Sequence, residues 1–227
     1  MYPSLFGFID TYVLMILVGV IAAFLVLVFY FKKKKIVKIE IIDVLICAIV
    51  AVISGLVFSC LFQNLYDFIE SPSTYHWTWA MTFYGGLFGG VLGFLLMYFL
   101  WFKKHHPRIM KSILTIAPSC ITIAHAFGRI GCFLAGCCYG KETNSWIGVK
   151  FPDLPNPVIP TQLIESIALF LLTFILLIMA FRFDNKYTFV VYMTGYAIIR
   201  FVIEFYRGDY RGKIILGMSP SQIWCIL

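Results

Sequence analysis

Charge is what this sequence has least of. Lysine and arginine number 18, aspartate and glutamate 11, and only 13% of the 227 residues are charged. Soluble domains carry about 25%. Hydrophobic residues make up 61%, and the mean hydropathy is +0.91. That balance excludes an ordinary soluble fold. With several apolar runs of bilayer length, it predicts an all-α polytopic membrane protein. The net charge of +7 does not point to nucleic acid, because the basic residues cluster between apolar runs. No internal repeat or low-complexity tract is visible. A disulfide framework is missing too: of seven cysteines, Cys47, Cys60 and Cys225 are scattered along apolar segments, where cysteine behaves as a small hydrophobe.

The first apolar run, about Tyr12 to Phe31, is longer than a signal-peptide core of about 7–15 residues. No basic residue precedes it and four lysines follow it. This predicts an uncleaved first span with an extracytoplasmic N-terminus. Runs of about 20 apolar residues cross the hydrocarbon core. They occur near 12–31, 41–62, 82–102, 112–134, 161–181 and 187–207, the fourth interrupted by Pro118, His125 and Arg129. A seventh hydrophobic start, from about Ser219, is cut short at Leu227. The expectation is therefore one membrane domain over 1–227, with about seven transmembrane helices.

Orientation follows from the basic loops. Loops 32–40, 103–111 and 182–186 carry five, four and two Lys or Arg residues, eleven in all. The alternating loops 63–81, 140–160 and 207–218 carry only Lys141, Lys150, Arg207, Arg211 and Lys213. The first group is expected in the cytoplasm, with membrane lipid headgroups as partners. Loop 63–81, with Tyr75, Trp77 and Trp79, suits an extracytoplasmic interfacial segment.

Chemistry concentrates in "HAFGRIGCFLAGCCYG", residues 125–140. Arg129 lies in a candidate span, and so does Arg200 in "GYAIIRFVIEFYRG". A guanidinium there costs roughly 2.5–3.5 kcal/mol on insertion scales. One reading pairs the arginines with Glu165 and Glu204, the latter four residues beyond Arg200 and so on the same helix face. The other has both arginines face a cavity and bind a phosphate, a task suited to a planar fork that keeps its charge. "FYGGLFGGVLG" places Gly85, Gly86, Gly89, Gly90 and Gly93 at the head of the third span. Gly86/Gly90 and Gly89/Gly93 fit close helix packing, while Gly85 and Gly86 after Tyr84 also leave room for a lipid headgroup. His125, Cys132, Cys137 and Cys138 offer four soft ligands. Structural zinc prefers paired ligands at C-x₂₋₄-C spacing, and adjacent cysteines rarely share one ion. Small packing residues, or one extracytoplasmic disulfide, are expected in place of a metal; no cofactor is expected, and the three thiols are expected to be individually dispensable for folding.

These residues resemble the prolipoprotein diacylglyceryl transferase family over nearly the whole chain. "DTYVLMILVG" is similar to its first-span tyrosine segment, with Tyr12 in the matching place. "FYGGLFGG" resembles its HGG segment, and "GRIGCFLAGCCYG" its signature G-R-x-G-N-F-x-N-x-E-x-x-G. "IPTQLIES" resembles H-P-S-Q-L-Y-E, "GYAIIRFVIEFYRG" resembles G-x-x-R-x-x-x-E-x-x-R, and "GMSPSQI" resembles the opening of its last span. Arg129, Gly140, Gln162, Glu165, Arg200, Glu204 and Arg207 are retained. Tyr84 replaces a histidine, Cys132 and Ala135 replace asparagines, and Cys137 replaces a glutamate.

The resemblance implies transfer of a diacylglyceryl group from phosphatidylglycerol to the lipobox cysteine of prolipoproteins, whose signal peptides would be partners. Arg129, Arg200, His125 and Tyr84 are then the candidates for catalysis. Tyr12, Gly85, Gly86, Cys132, Gly140, Gln162, Glu165, Glu204 and Arg207 are the candidates for substrate binding. Tyr84, with an ordinary pKa near 10, is a poor base. His125, one helical turn before Arg129, is a better one, although a packed histidine accounts for it as well. Two alternatives stay open: the same lipid donor with another acceptor, or a non-catalytic or redox membrane protein that kept only the fold.

Overall fold

A computed structural model describes residues 4–5, 9–36, 38–70, 72–79, 81–106, 109–208, 222 and 225. The chain forms two compact units, Met1–Tyr30 with Leu114–Leu227, and Phe31–Ile113. Both are helical. The only paired strands among the described residues are β1 (Ser4–Leu5) and β2 (Ile9–Asp10), two residues each.

The helices follow the apolar runs. They are α1 (Thr11–Lys33), α2 (Lys38–Glu70), α3 (Phe83–Met97), the short α4 (Lys103–His105), α5 (Met110–Ala135), α6 (Thr161–Phe183) and α7 (Thr188–Glu204). Among the described residues, five helical stretches are long and apolar enough to cross a membrane, the fifth being Thr161–Phe183. The 17 residues of α7 rise about 26 Å at 1.5 Å per residue. The seventh start near Ser219 and the segment "GMSPSQI" lie outside the described residues, apart from Gln222.

Two boundaries differ from the sequence reading. Residues 63–70, expected in an outer loop, continue α2 by about two turns. Gln63 Nε2 donates to Asp67 Oδ1 at 2.8 Å, and Asn64 Nδ2 donates to the Cys60 carbonyl at 2.8 Å. Both contacts are i,i+4, so the polar side chains support the helix that their polarity had seemed to end. Pro118 does not break α5 either. Proline cannot donate to the carbonyl four residues back, here that of Leu114. That carbonyl accepts from Thr188 Oγ1 at 3.4 Å, so α7 supplies the missing donor.

In the unit Phe31–Ile113, α3 packs closely on α2. Thr82 caps α3, its Oγ1 accepting from the Gly85 N–H at 3.1 Å. A Cβ at Gly85 would stand 2.6 Å from the Phe58 carbonyl oxygen and 2.8 Å from Phe62 Cβ. That face of Gly85 is therefore filled by α2, a correction to the headgroup role expected there. Gly89 and Gly93 meet α2 in the same way, at Phe58 and Ser54. At Gly86 the nearest atoms would be 3.6 Å away, which is ordinary contact. The small-residue stripe that sets helix approach is thus Gly85, Gly89 and Gly93. The Tyr84 side chain lies outside the described residues.

In the other unit, α6 and α7 form a hairpin. Asp184, left-handed at φ 47°, ends α6, with its N–H donating to the Met179 carbonyl. Tyr30 of α1 donates to Asp184 Oδ1 at 3.1 Å. Arg182 and Lys186 sit at this turn. The opposite end of the unit gathers the start of α1, the end of α5, the start of α6 and the end of α7.

Candidate functional site

Arg129 sits near the end of α5, Glu165 in the second turn of α6, and Arg200 and Glu204 in the last turns of α7. Arg129 Nη2 lies 3.0 Å from Glu165 Oε1, Arg200 Nη1 3.9 Å from Glu165 Oε2, and Arg200 Nη2 2.7 Å from Glu204 Oε2. The result is a four-membered chain of alternating charge linking three helices. Glu165 is fully buried, and the Arg129 side chain is 14% exposed. Burying ions is costly unless each is paired. Here the alternation leaves the four groups with no net charge. Arg129 Nε is buried with no hydrogen-bond partner among the described residues.

Around this chain lie other expected site residues. His125, one turn before Arg129, packs edge-on against Tyr196 with ring centroids 5.1 Å apart. It is within electrostatic reach of Arg129, Glu165 and Arg200. Tyr196 was missed from the sequence, although its position four residues before Arg200 places it on the same face of α7. Tyr12 stands in the first turn of α1, which Asp10 caps by accepting from the Tyr12 N–H at 2.8 Å. A Cβ at Gly131 would lie 3.1 Å from the Tyr12 ring, so this glycine lets the tyrosine lie against α5. Ser166 Oγ donates to the Ala126 carbonyl at 2.9 Å and fixes α6 to α5 beside the ion pair.

The segment after α5 is held by its own backbone and by α6. Gly136 is left-handed at φ 76°. Its N–H donates to the Phe133 carbonyl at 3.2 Å, and the Cys137 N–H donates to the Cys132 carbonyl at 3.1 Å. Those two bonds make a Schellman cap, which brings the residues at Cys132 and Cys137 together. Cys138 is also left-handed, at φ 63°, an uncommon conformation for a residue with a Cβ. Two α6 side chains hold it there: Gln162 Nε2 donates to the Cys137 carbonyl at 2.5 Å, and Thr161 Oγ1 donates to the Cys138 carbonyl at 3.1 Å. Gln162 Oε1 is buried without a partner among the described residues.

As a result the sulfur atoms of Cys132, Cys137 and Cys138 lie within 4.8 Å of one another. Hydrogen bonds from Cys132 and Cys137, and then one from the Arg207 guanidinium, hold the Cys138 thiol far below the ordinary thiol range. Its hydrogen bonds with the other two thiols push Cys137 the opposite way. Arg207 is buried and bridges in antiparallel fashion to Gly140. A Cβ at Gly140 would lie 2.7 Å from the Tyr206 carbonyl oxygen and 2.8 Å from that of Ile159. Gly140 is required by this crossing of three chain segments.

The structure thus brings Arg129, Glu165, Arg200, Glu204 and His125 together, with Tyr12, Cys132, Gln162, Gly140 and Arg207 on adjoining segments. Gly85 and Gly86 belong to the other unit. Residues 4–227 match the family described as prolipoprotein diacylglyceryl transferase. The phosphatidylglycerol–prolipoprotein diacylglyceryl transferase of Clostridium tetani is 34% identical, over 96% of this chain and 89% of that protein. Transferase 2 of Clostridium perfringens is 40% identical over 61% of this chain and 54% of that protein. The corresponding transferase of Acinetobacter baumannii strain ACICU is 32% identical over 78% and 67%. From its helices to its paired arginines, the chain belongs to the prolipoprotein diacylglyceryl transferase family.

Proposed function

We propose that this protein transfers the diacylglyceryl group of phosphatidylglycerol to the lipobox cysteine thiol of prolipoproteins. Residues 1–227 serve as one membrane transferase domain in the bacterial cytoplasmic membrane. The observation that carries the reading is Arg129. Its guanidinium is oriented by the buried Glu165, and its Nε keeps an unused buried donor. An anionic ligand supplies the acceptor that this donor lacks.

The acceptor sulfur attacks the glycerol carbon that carries the phosphate ester. A C–S bond forms, the C–O bond breaks, and glycerol phosphate leaves as an anion. The leaving group already carries charge, so fixed donors aimed at its oxygens lower the barrier more than a strong base does. Arg129 and Arg200 take that role, with Glu165 and Glu204 as positioning residues. Tyr12 hydrogen-bonds the headgroup. The thiol proton goes to His125, since a free thiol with a pKa of about 8.5 is only a few per cent thiolate at neutral pH. Cys132, Gly140, Gln162 and Arg207 contribute from the adjoining segments of the same unit.

Incubating the purified protein with phosphatidylglycerol and a lipobox peptide should yield a peptide heavier by one diacylglyceryl group, detected by mass spectrometry. Release of glycerol phosphate without the peptide adduct would identify another acceptor. The basic-loop asymmetry further supports an extracytoplasmic N-terminus. A cysteine introduced at Ser73 should then react with an impermeant thiol reagent in intact cells, above the labelling of native thiols. One at Lys104 should react only after permeabilisation. The opposite pattern would reverse the topology.

A further inference from the structure

We propose that Cys132, Cys137 and Cys138 form a three-thiolate site for one soft cation of the zinc class. The sequence spacing argued against such a site, because adjacent cysteines rarely bind one ion together. The backbone removes that objection. The Schellman cap folds Cys137 back onto Cys132, and the left-handed turn at Cys138 returns the third sulfur to the other two.

Tetrahedral zinc with Zn–S bonds of about 2.3 Å places its sulfurs roughly 3.8 Å apart. The three sulfurs here already lie within 4.8 Å of one another, so closure onto an ion requires shifts of about 1 Å or less by that comparison. All three cysteines are free thiols. A disulfide uses two sulfurs and leaves the third without purpose, whereas a trigonal set uses all three. Three thiolates and a divalent cation carry one net negative charge, which the Arg207 guanidinium beside Cys138 offsets. Cys132 is buried, Cys138 partly buried and Cys137 exposed, so an ion reaches the site from the Cys137 side. Three protein ligands leave the fourth tetrahedral position for water.

The test is metal retention, which does not depend on transferase activity. Full-length protein, reduced and kept free of oxygen, is loaded with zinc in detergent, desalted and analysed for metal by mass spectrometry. One zinc per chain is expected in the wild type and in Cys47→Ser, and at least a tenfold loss in Cys137→Ser and Cys138→Ser. X-ray absorption on the loaded wild type, which needs no variant to fold, should show three sulfur neighbours at about 2.3 Å. Wild-type protein that emerges from desalting without zinc overturns the proposal. So do fewer than three sulfur neighbours, or full retention by both serine variants.

Discussion

Replacing Glu165 with glutamine is expected to destabilise the folded protein by about 3–5 kcal/mol, the usual cost of breaking a buried ion pair from one side. Glutamine keeps the volume of the side chain and removes only its charge. Glu165 is fully buried and faces two guanidinium groups, Arg129 at 3.0 Å and Arg200 at 3.9 Å. Without it, Arg200 keeps Glu204 at 2.7 Å, while Arg129 loses its one carboxylate within 4.0 Å among the described residues. The measurement is thermal unfolding of the purified protein in detergent. Adding Arg129→Gln to Glu165→Gln should recover part of the loss, because the uncompensated charge goes with it. A coupling of about 0.5–3 kcal/mol is typical for residues in such contact. Strict additivity of the two changes would show that the pair is geometric only.

That ion-pair chain was half legible in the sequence. Arg200 and Glu204 are four apart on one helix, so their pairing follows from helical geometry. Glu165 enters the sequence reading only as one possible partner of the costly intramembrane arginines. That it would serve both arginines at once depends on how α5, α6 and α7 meet, which no local spacing encodes. The helices themselves were legible because lipid demands long apolar runs. Their polar ends were not. Gln63, Asn64 and Asp67 read as loop residues, yet their side chains satisfy one another and the backbone along α2. Pro118 read as an interruption for a sound reason, and only Thr188, 70 residues later in the chain by number, removes it.

The thiol cluster shows the opposite failure. Spacing rules for metal sites assume ordinary turns between ligands. Gly136 was a visible signal for a left-handed helix cap, and a Schellman cap after Ala135 brings Cys132 and Cys137 into contact. The left-handed Cys138 was not foreseeable, because it is imposed by Thr161 and Gln162 at the start of α6. Gly140, Thr161 and Gln162 therefore combine two tasks. They belong to the segments that match the family signature, and they also hold the turn on which the cysteines sit.

Arg129→Lys is expected to lower turnover of phosphatidylglycerol by a factor on the order of 10² or more, the size of losing one oxyanion donor. Lysine keeps the positive charge, so the pair with Glu165 can re-form as a point contact. What it loses is the planar fork with donors on more than one nitrogen. The argument turns on that difference: Nη2 is engaged by Glu165, while Nε is buried and without a partner among the described residues. A lysine cannot hold the carboxylate and aim a second fixed donor at a phosphate. Arg200→Lys should behave alike, since its Nη2 is taken by Glu204 at 2.7 Å. Turnover is followed with labelled lipid, and protein yield and melting are measured on the same preparations. Near-normal turnover in both variants would remove the case for phosphate clamping. Lost turnover together with a collapsed fold would make the arginines structural partners of Glu165 and Glu204. Lost turnover with an unchanged melting temperature is the result expected if the two guanidinium groups are held in the membrane to meet a lipid phosphate.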